Sequence, residues 1–102
     1  MSRGQEDSTW TFLTNHAQVL LAIAQNADIR LREVAQQVGI TERATQRIVA
    51  DLVKAGYVKR RRVGRRNNYT VNPKVEMRHE AQEGHSVGEL LNLLDVRELA
   101  KP

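Results

Sequence analysis

The stretch IRLREVAQQVGITERATQRIVADLVKAGY, Ile29 to Tyr57, allows few folds, because it divides itself at a glycine and is followed by a change of period. Leu31, Val34, Ala35 and Val38 recur at helical spacing, and Gly39 stands where a helix can stop in the left-handed conformation that glycine adopts without strain. Thr41 then holds the position of an N-cap. Ile40, Ala44, Ile48, Leu52 and Ala55 predict the buried face of a second helix, which Gly56 closes. Two short helices therefore meet at a three-residue corner. After Gly56 the apolar period shortens from about 3.6 to about 2. Tyr57 to Val63 and Asn68 to Val71 predict two strands, with the link GRRN, Gly64 to Asn67, as the tip of a hairpin. Pro73 forbids further pairing inside a sheet.

The flanks add two helices. TNHAQVLLAIAQNAD predicts a helix capped by Thr14 or Asn15 and ended by Asn26 to Asp28, with Ala17, Leu20, Leu21 and Ala24 on one face. Before it, residues 1–9 read as a flexible tail. Trp10 and Phe12 are half of the four aromatics in the chain and are expected to be buried against the helices. Beyond the hairpin, Lys74 to Gly84 is charged and without clear period. SVGELLNLLDVRELA then predicts a helix, with Ser86 and Glu89 as a capping box. Its apolar residues Val87, Leu90, Leu91, Leu93 and Leu94, with Val96 and Leu99, exceed one narrow stripe. One side is expected to cover the first helix, while Val87, Leu90, Leu91 and Leu94 are expected at the interface with a second copy of the chain.

Length and charge say what such a fold is for. At 102 residues, 40% of them apolar, the chain has room for one domain plus a short appendage. It holds no cysteine, which excludes disulfides, thiol catalysis and thiolate metal sites. No run approaches the roughly 18 apolar residues of a membrane span, and the expected location is the cytoplasm. Residues 1–73 carry twelve Lys/Arg against six Asp/Glu, and residues 74–102 carry four against six. Six of the cations, Lys59, Arg60, Arg61, Arg62, Arg65 and Arg66, lie in the predicted hairpin, with no acid between Gly56 and Val71. Such a basic face is the usual footprint of a nucleic-acid binder, since neutralising phosphates releases condensed counterions. Charge also protects an exposed edge strand from pairing, which accounts for one or two of the six.

Ala35, Gly39 and Ile40 at the corner, Ile48 and Leu52 behind the second helix of the pair, and the phrase LVKAGYVKRR running into the hairpin resemble the MarR/ArsR class of small bacterial and archaeal transcriptional regulators. The resemblance spans roughly residues 14–72. It implies a mainly α fold with a small β-hairpin wing, a winged helix-turn-helix with a C-terminal dimerisation helix, and it implies DNA as partner, a homodimer and transcription regulation. Thr45 departs from the pattern, standing where such domains have Val or Ile. Its hydroxyl needs a local acceptor such as the Thr41 carbonyl.

The residues support the same partner directly. An α-helix fits the major groove of double-stranded DNA, and only its outward side chains reach base edges. With the apolar positions turned inward, helix 41–55 presents Thr41, Glu42, Arg43, Gln46, Arg47 and, further along, Ala50. Arg–guanine and Gln–adenine are matched bidentate pairs, which makes Arg43, Gln46 and Arg47 the base-reading candidates, the bland alternative being a solvated face with Glu42 and Gln46 paired along it. In the wing, residues 58–68, Arg60, Arg62, Arg65, Arg66 and Asn67 are the candidates for minor-groove and phosphate contact, with Arg65, Arg66 and Asn67 expected at the tip. Arg30 and Arg32 are weaker phosphate candidates. The expected division is therefore 10–73 for DNA binding and 74–102 for linker and dimerisation.

Catalysis finds no support. Ser2, Ser8 and Ser86 have no base beside them, and no glycine loop or carboxylate pair is legible. His16 reads as a local polar contact. His79 and His85, with Glu80 and Glu83 in MRHEAQEGHS, lack the tight spacing of a metal site, so no metal or cofactor is expected. A small-molecule effector is left open. Repression is expected over activation, because so short a chain offers no separate surface for recruiting a polymerase. A winged-helix protein interaction module and a non-specific architectural or RNA-binding protein are the rival readings.

Overall fold

The structure, a computed structural model, describes residues 10–94. Its elements run α1 (Asn15–Gln25), α2 (Leu31–Val38), α3 (Glu42–Lys54), β1 (Val58–Val63), β2 (Arg66–Val71) and α4 (Val87–Leu93), with a 3-10 turn at Glu80–Gln82. Helices and an antiparallel hairpin in this order form a winged helix-turn-helix, with α4 following the wing.

Helices α1 and α3 begin where a hydroxyl can satisfy one of their first amides. The Thr14 hydroxyl accepts from the Ala17 amide at 3.2 Å, and the Thr41 hydroxyl accepts from Ala44 at 3.0 Å. The Glu33 carboxylate accepts from the Arg30 amide at 3.3 Å at the start of α2. At the corner, Gly39 has φ 87° and its amide donates to the Ala35 carbonyl at 2.8 Å, closing α2. A residue with a Cβ would strain this turn, and the angle between α2 and α3 depends on it.

The core lies between α1, α2, α3, the root of the hairpin and α4. Val19, Ile23, Val34, Val49 and Leu91 are fully enclosed, with Tyr57, Val58, Tyr69 and Val71 closing the hairpin side. Thr45 is also fully buried, and its hydroxyl donates to the Thr41 carbonyl at 2.9 Å, as expected from the sequence.

Four expectations are corrected. The buried face of α3 is Thr45, Ile48, Val49 and Leu52, with Ala44 at its margin; Val49 belongs to it because a strict four-residue ladder drifts away from the 3.6-residue period of a helix. Trp10 and Phe12 are 70% and 91% exposed. They precede the Thr14 cap, and the inner face of α1 is already covered by α2, α3 and β2. The hairpin turn is Gly64–Arg65 alone, since Val63 pairs with Arg66 and Arg62 with Asn67; Arg66 and Asn67 are strand residues rather than tip. Val87 and Leu91, expected between copies of the chain, are 4% and 0% exposed within the single chain's own core. Val96 and Leu99 lie outside the described residues.

The segment from Pro73 to Ser86 folds back on the domain. The Tyr57 hydroxyl donates to the Glu76 carbonyl at 2.9 Å, Met77 and Val87 amides donate to the His85 and Val75 carbonyls, and Gly88 donates to Pro73 at 2.8 Å. A Cβ on Gly88 would stand 2.7 Å from the Pro73 carbonyl oxygen, so α4 approaches the chain at a distance that glycine alone permits. Ser86 and Glu89 form the expected capping box. The His85 imidazole and the Ser86 amide both bond the Glu89 carboxylate and hold its pKa below the usual value.

Candidate nucleic-acid interface

The outward face of α3 carries Arg43, Gln46 and Arg47, all exposed, and their side chains make no hydrogen bond or ion pair among the described residues. Glu42 and Gln46 do not pair along the helix either. Thr41 is exposed too, with its hydroxyl oxygen engaged as the cap. The backbone beneath these side chains is fixed by Thr45, Ile48, Val49 and Leu52. The result is a rigid rod with free donors in a row, which suits reading of base edges.

The hairpin is built in two parts. At its root, Val58, Tyr69 and Val71 face the core. Because directly opposed residues share a face, Arg60, Arg62 and Asn67 continue that same face beyond the core, whereas Lys59, Arg61 and Arg66 lie on the other. The six cations are thus divided between two faces and a tip. Arg65 occupies the turn, beside Gly64 at φ 63°, and the Arg62 Nε donates to the Gly64 carbonyl at 3.2 Å, folding that guanidinium over the turn. Arg66 reaches away from the tip, its Nη2 donating to the Asp28 carbonyl at 2.7 Å. Arg30 and Arg32 are exposed at the start of α2.

Asp28 is the residue that sequence reasoning missed. It reads locally as the end of a helix, yet it accepts from both Arg66 and Asn68. Nothing in local periodicity signals a contact across some forty positions.

The three histidines are each bonded within the chain. His16 Nε2 lies 2.9 Å from Asp51 Oδ2, linking the start of α1 to the latter half of α3. The His79 Nδ1 accepts from the Ala81 amide and caps the 3-10 turn. Among the described residues, no group of three or more His, Cys, Asp or Glu is placed to hold a metal ion. An open groove of about 750 Å³ runs between α1, the end of α3 and α4, lined by Leu20, Leu52 and Leu90 together with the His16–Asp51 pair, Lys54 and Arg78. No helix among the described residues is long and apolar enough to cross a membrane.

A family model described as the MarR family matches residues 11–66, from the turn before α1 through both helices of the corner and β1 to the start of β2. The chain belongs to the MarR family. Members of the MarR family are winged-helix transcription regulators rather than enzymes, and the fold seen here is of that kind. Among solved structures, a MarR family protein of Mycobacterium tuberculosis in complex with salicylic acid superposes with a TM-score of 0.51 at 25% identity, covering 86% of this chain and 64% of that one. The chain therefore spans less than two thirds of that relative's length. A comparison with curated proteins gives no match.

Proposed function

We propose that this MarR family chain is a sequence-specific repressor that binds double-stranded DNA as a homodimer. The observation that carries the reading is the exposed, unbonded row Arg43, Gln46 and Arg47 on a rigidly seated α3, next to a hairpin with six cations. In this reading α3 enters the major groove, with Arg43, Gln46 and Arg47 on base edges and Thr41 at the backbone. The wing lies over the neighbouring minor groove with Arg60, Arg62, Arg65 and Asn67 near phosphates, while Arg66 contributes charge from its anchored position. Residues 10–73 carry the DNA contacts and residues 74–102 the pairing of copies.

With Val87 and Leu91 enclosed, the apolar surface left on α4 is Leu93 and Leu94, 76% and 39% exposed, with half-buried Leu90. Pairing through these residues covers surface that water would otherwise wet, and two-fold symmetry sets two recognition helices about one DNA turn apart, roughly 34 Å. Deleting the whole helix would empty the core, so the informative variant is Leu93→Glu with Leu94→Glu. It is expected to give a folded monomer by light scattering and to weaken operator binding steeply.

A small aromatic acid is the effector class we favour for the groove beside His16 and Asp51. Its apolar walls and the cations Lys54 and Arg78 in its lining suit such a ligand, and the salicylic acid bound by the Mycobacterium relative belongs to that class.

Fluorescence anisotropy with the chain's own upstream region, random duplex and random RNA tests the function. A specific regulator shows an excess affinity of about 10³-fold or more for one duplex. Equal affinity for all three nucleic acids would favour the architectural reading, and no affinity for any would favour a protein interaction module.

A further inference from the structure

The loop between α1 and α2 is pinned along the outer edge of β2. The Tyr69 amide donates to the Ala27 carbonyl at 3.0 Å, Arg66 Nη2 donates to the Asp28 carbonyl at 2.7 Å, and Asn68 Nδ2 donates to the Asp28 carboxylate at 2.6 Å. Two consecutive loop residues thus take three bonds from one strand. The loop is itself fixed. The Asp28 amide donates to the Asn26 side chain at 3.2 Å, the Ile29 amide donates to the Asn26 carbonyl at 3.1 Å, and Ile29 is 4% exposed within the core.

We propose that Asp28 is a positioning residue for DNA binding, which holds the basic hairpin at a fixed angle beside the recognition helix through Asn68 and Arg66. The proposal rests on the reading of the chain as a DNA binder. Its physical ground is that an isolated two-stranded hairpin is marginally stable in water, and this one gathers six mutually repelling cations. Asp28 is the one acidic residue bonded to the hairpin among the described residues. Its carboxylate bond to Asn68 is charge-assisted, and its carbonyl uses one edge of the Arg66 guanidinium while leaving the other donors free. A hairpin without this tether has to be ordered when DNA arrives, and that ordering opposes binding.

A competing effect has the opposite sign. An acid near the phosphate backbone repels it, so removing Asp28 tightens binding to all duplexes if repulsion is its main influence. Three variants of the full chain separate the two. Asn68→Ala cuts the carboxylate tether without changing charge, Asp28→Ala removes the carboxylate acceptor and its charge while keeping the carbonyl that takes Arg66, and Asp28→Asn removes the charge while keeping an amide oxygen of the same shape.

Hydrogen exchange of the Tyr69 amide reads the tether in the free protein, and anisotropy across a salt series reads it on DNA. Asn68→Ala and Asp28→Ala are each expected to speed Tyr69 exchange about tenfold with little change in the global unfolding midpoint. Both are expected to weaken duplex binding by about five- to tenfold and to lower the salt slope by about one. The double variant should be no worse than either single one, since both break the same bond. Asp28→Asn should keep Tyr69 exchange near that of the unaltered chain. Unchanged exchange in Asn68→Ala and Asp28→Ala would overturn the proposal. So would tighter binding by both Asp28 variants with Asn68→Ala behaving as the unaltered chain, which would leave Asp28 a repelling charge and nothing more. An unaltered chain that binds no duplex would instead overturn the underlying DNA reading, a result visible without any variant.

Discussion

The recognition helix and the wing are both basic and both exposed, yet they are held in opposite ways. Helix α3 is fixed from beneath by Thr45, Ile48, Val49 and Leu52, and its outward side chains are left unbonded. The hairpin is buried at its root alone, and it is held along its edge by bonds from Arg66, Asn68 and Tyr69 to the α1–α2 loop. The difference suits the contacts proposed for each. Base edges demand side chains that are free while their backbone is rigid, and apolar packing on the far face supplies that combination. Phosphates run continuously along the duplex and tolerate small displacements, so a wing can be steadied by exposed polar bonds of modest strength.

The sharpest way to break this comparison is to weaken each attachment in turn. Ile48→Ala removes buried apolar volume from under α3 and is expected to destabilise the whole domain by about 2–5 kcal/mol in chemical denaturation. Arg66→Ala removes one exposed bond to a carbonyl and is expected to cost at most about 1.5 kcal/mol, felt as faster hydrogen exchange in the hairpin rather than as global unfolding. Comparable global losses from the two would mean that the wing and the helix unfold as one unit.

The same contrast explains what was legible in the sequence. Several features that depend on neighbours within one turn were readable: a cap at Thr14 or Asn15, the Thr41 cap, the stop at Gly39, the Ser86–Glu89 box, and a local acceptor for Thr45. The outward residues of α3 followed from its inward ones. What the sequence could not convey were contacts between distant segments. Asp28 meets Arg66 and Asn68 across separations of 38 and 40 residues, and no periodicity encodes that. Leu91 and Leu94 look alike in a leucine-rich helix, but only the first finds a place in the core, and that place depends on how Gly88 docks against Pro73. Trp10 and Phe12 were misread because aromatic residues have a general preference for burial, whereas here they lie ahead of the first helix with its inner face already covered.

Function should divide along the same line. Gln46→Ala and Arg47→Ala are expected to reduce discrimination between operator and random duplex by about 1–3 kcal/mol each, with stability unchanged because neither side chain is bonded within the chain. Equal losses on both DNAs would remove these residues from base reading. Arg65→Ala, at the hairpin turn, should instead weaken all duplexes alike and lower the salt slope by about 0.9. A sequence-selective loss from Arg65→Ala would erase the distinction between the two elements.

The smallest expected effect concerns the one polar group in the apolar seat of α3. Thr45 is fully buried and donates its hydroxyl to the Thr41 carbonyl at 2.9 Å, and the same carbonyl also accepts from the Thr45 amide at 3.0 Å. Replacing the hydroxyl by a methyl group, as in Thr45→Val, therefore leaves no acceptor without a partner and adds a buried apolar group in nearly the same volume. The lost bond and the gained burial are each about 1 kcal/mol and opposite in sign. The unfolding free energy should stay within about 0.5 kcal/mol of the unaltered chain, and operator affinity should not move, since the outward face of α3 is untouched. A loss of 2 kcal/mol or more would show that α3 depends on a specific polar bond as the wing does, and the contrast between a helix held by packing and a hairpin held by hydrogen bonds would not survive it.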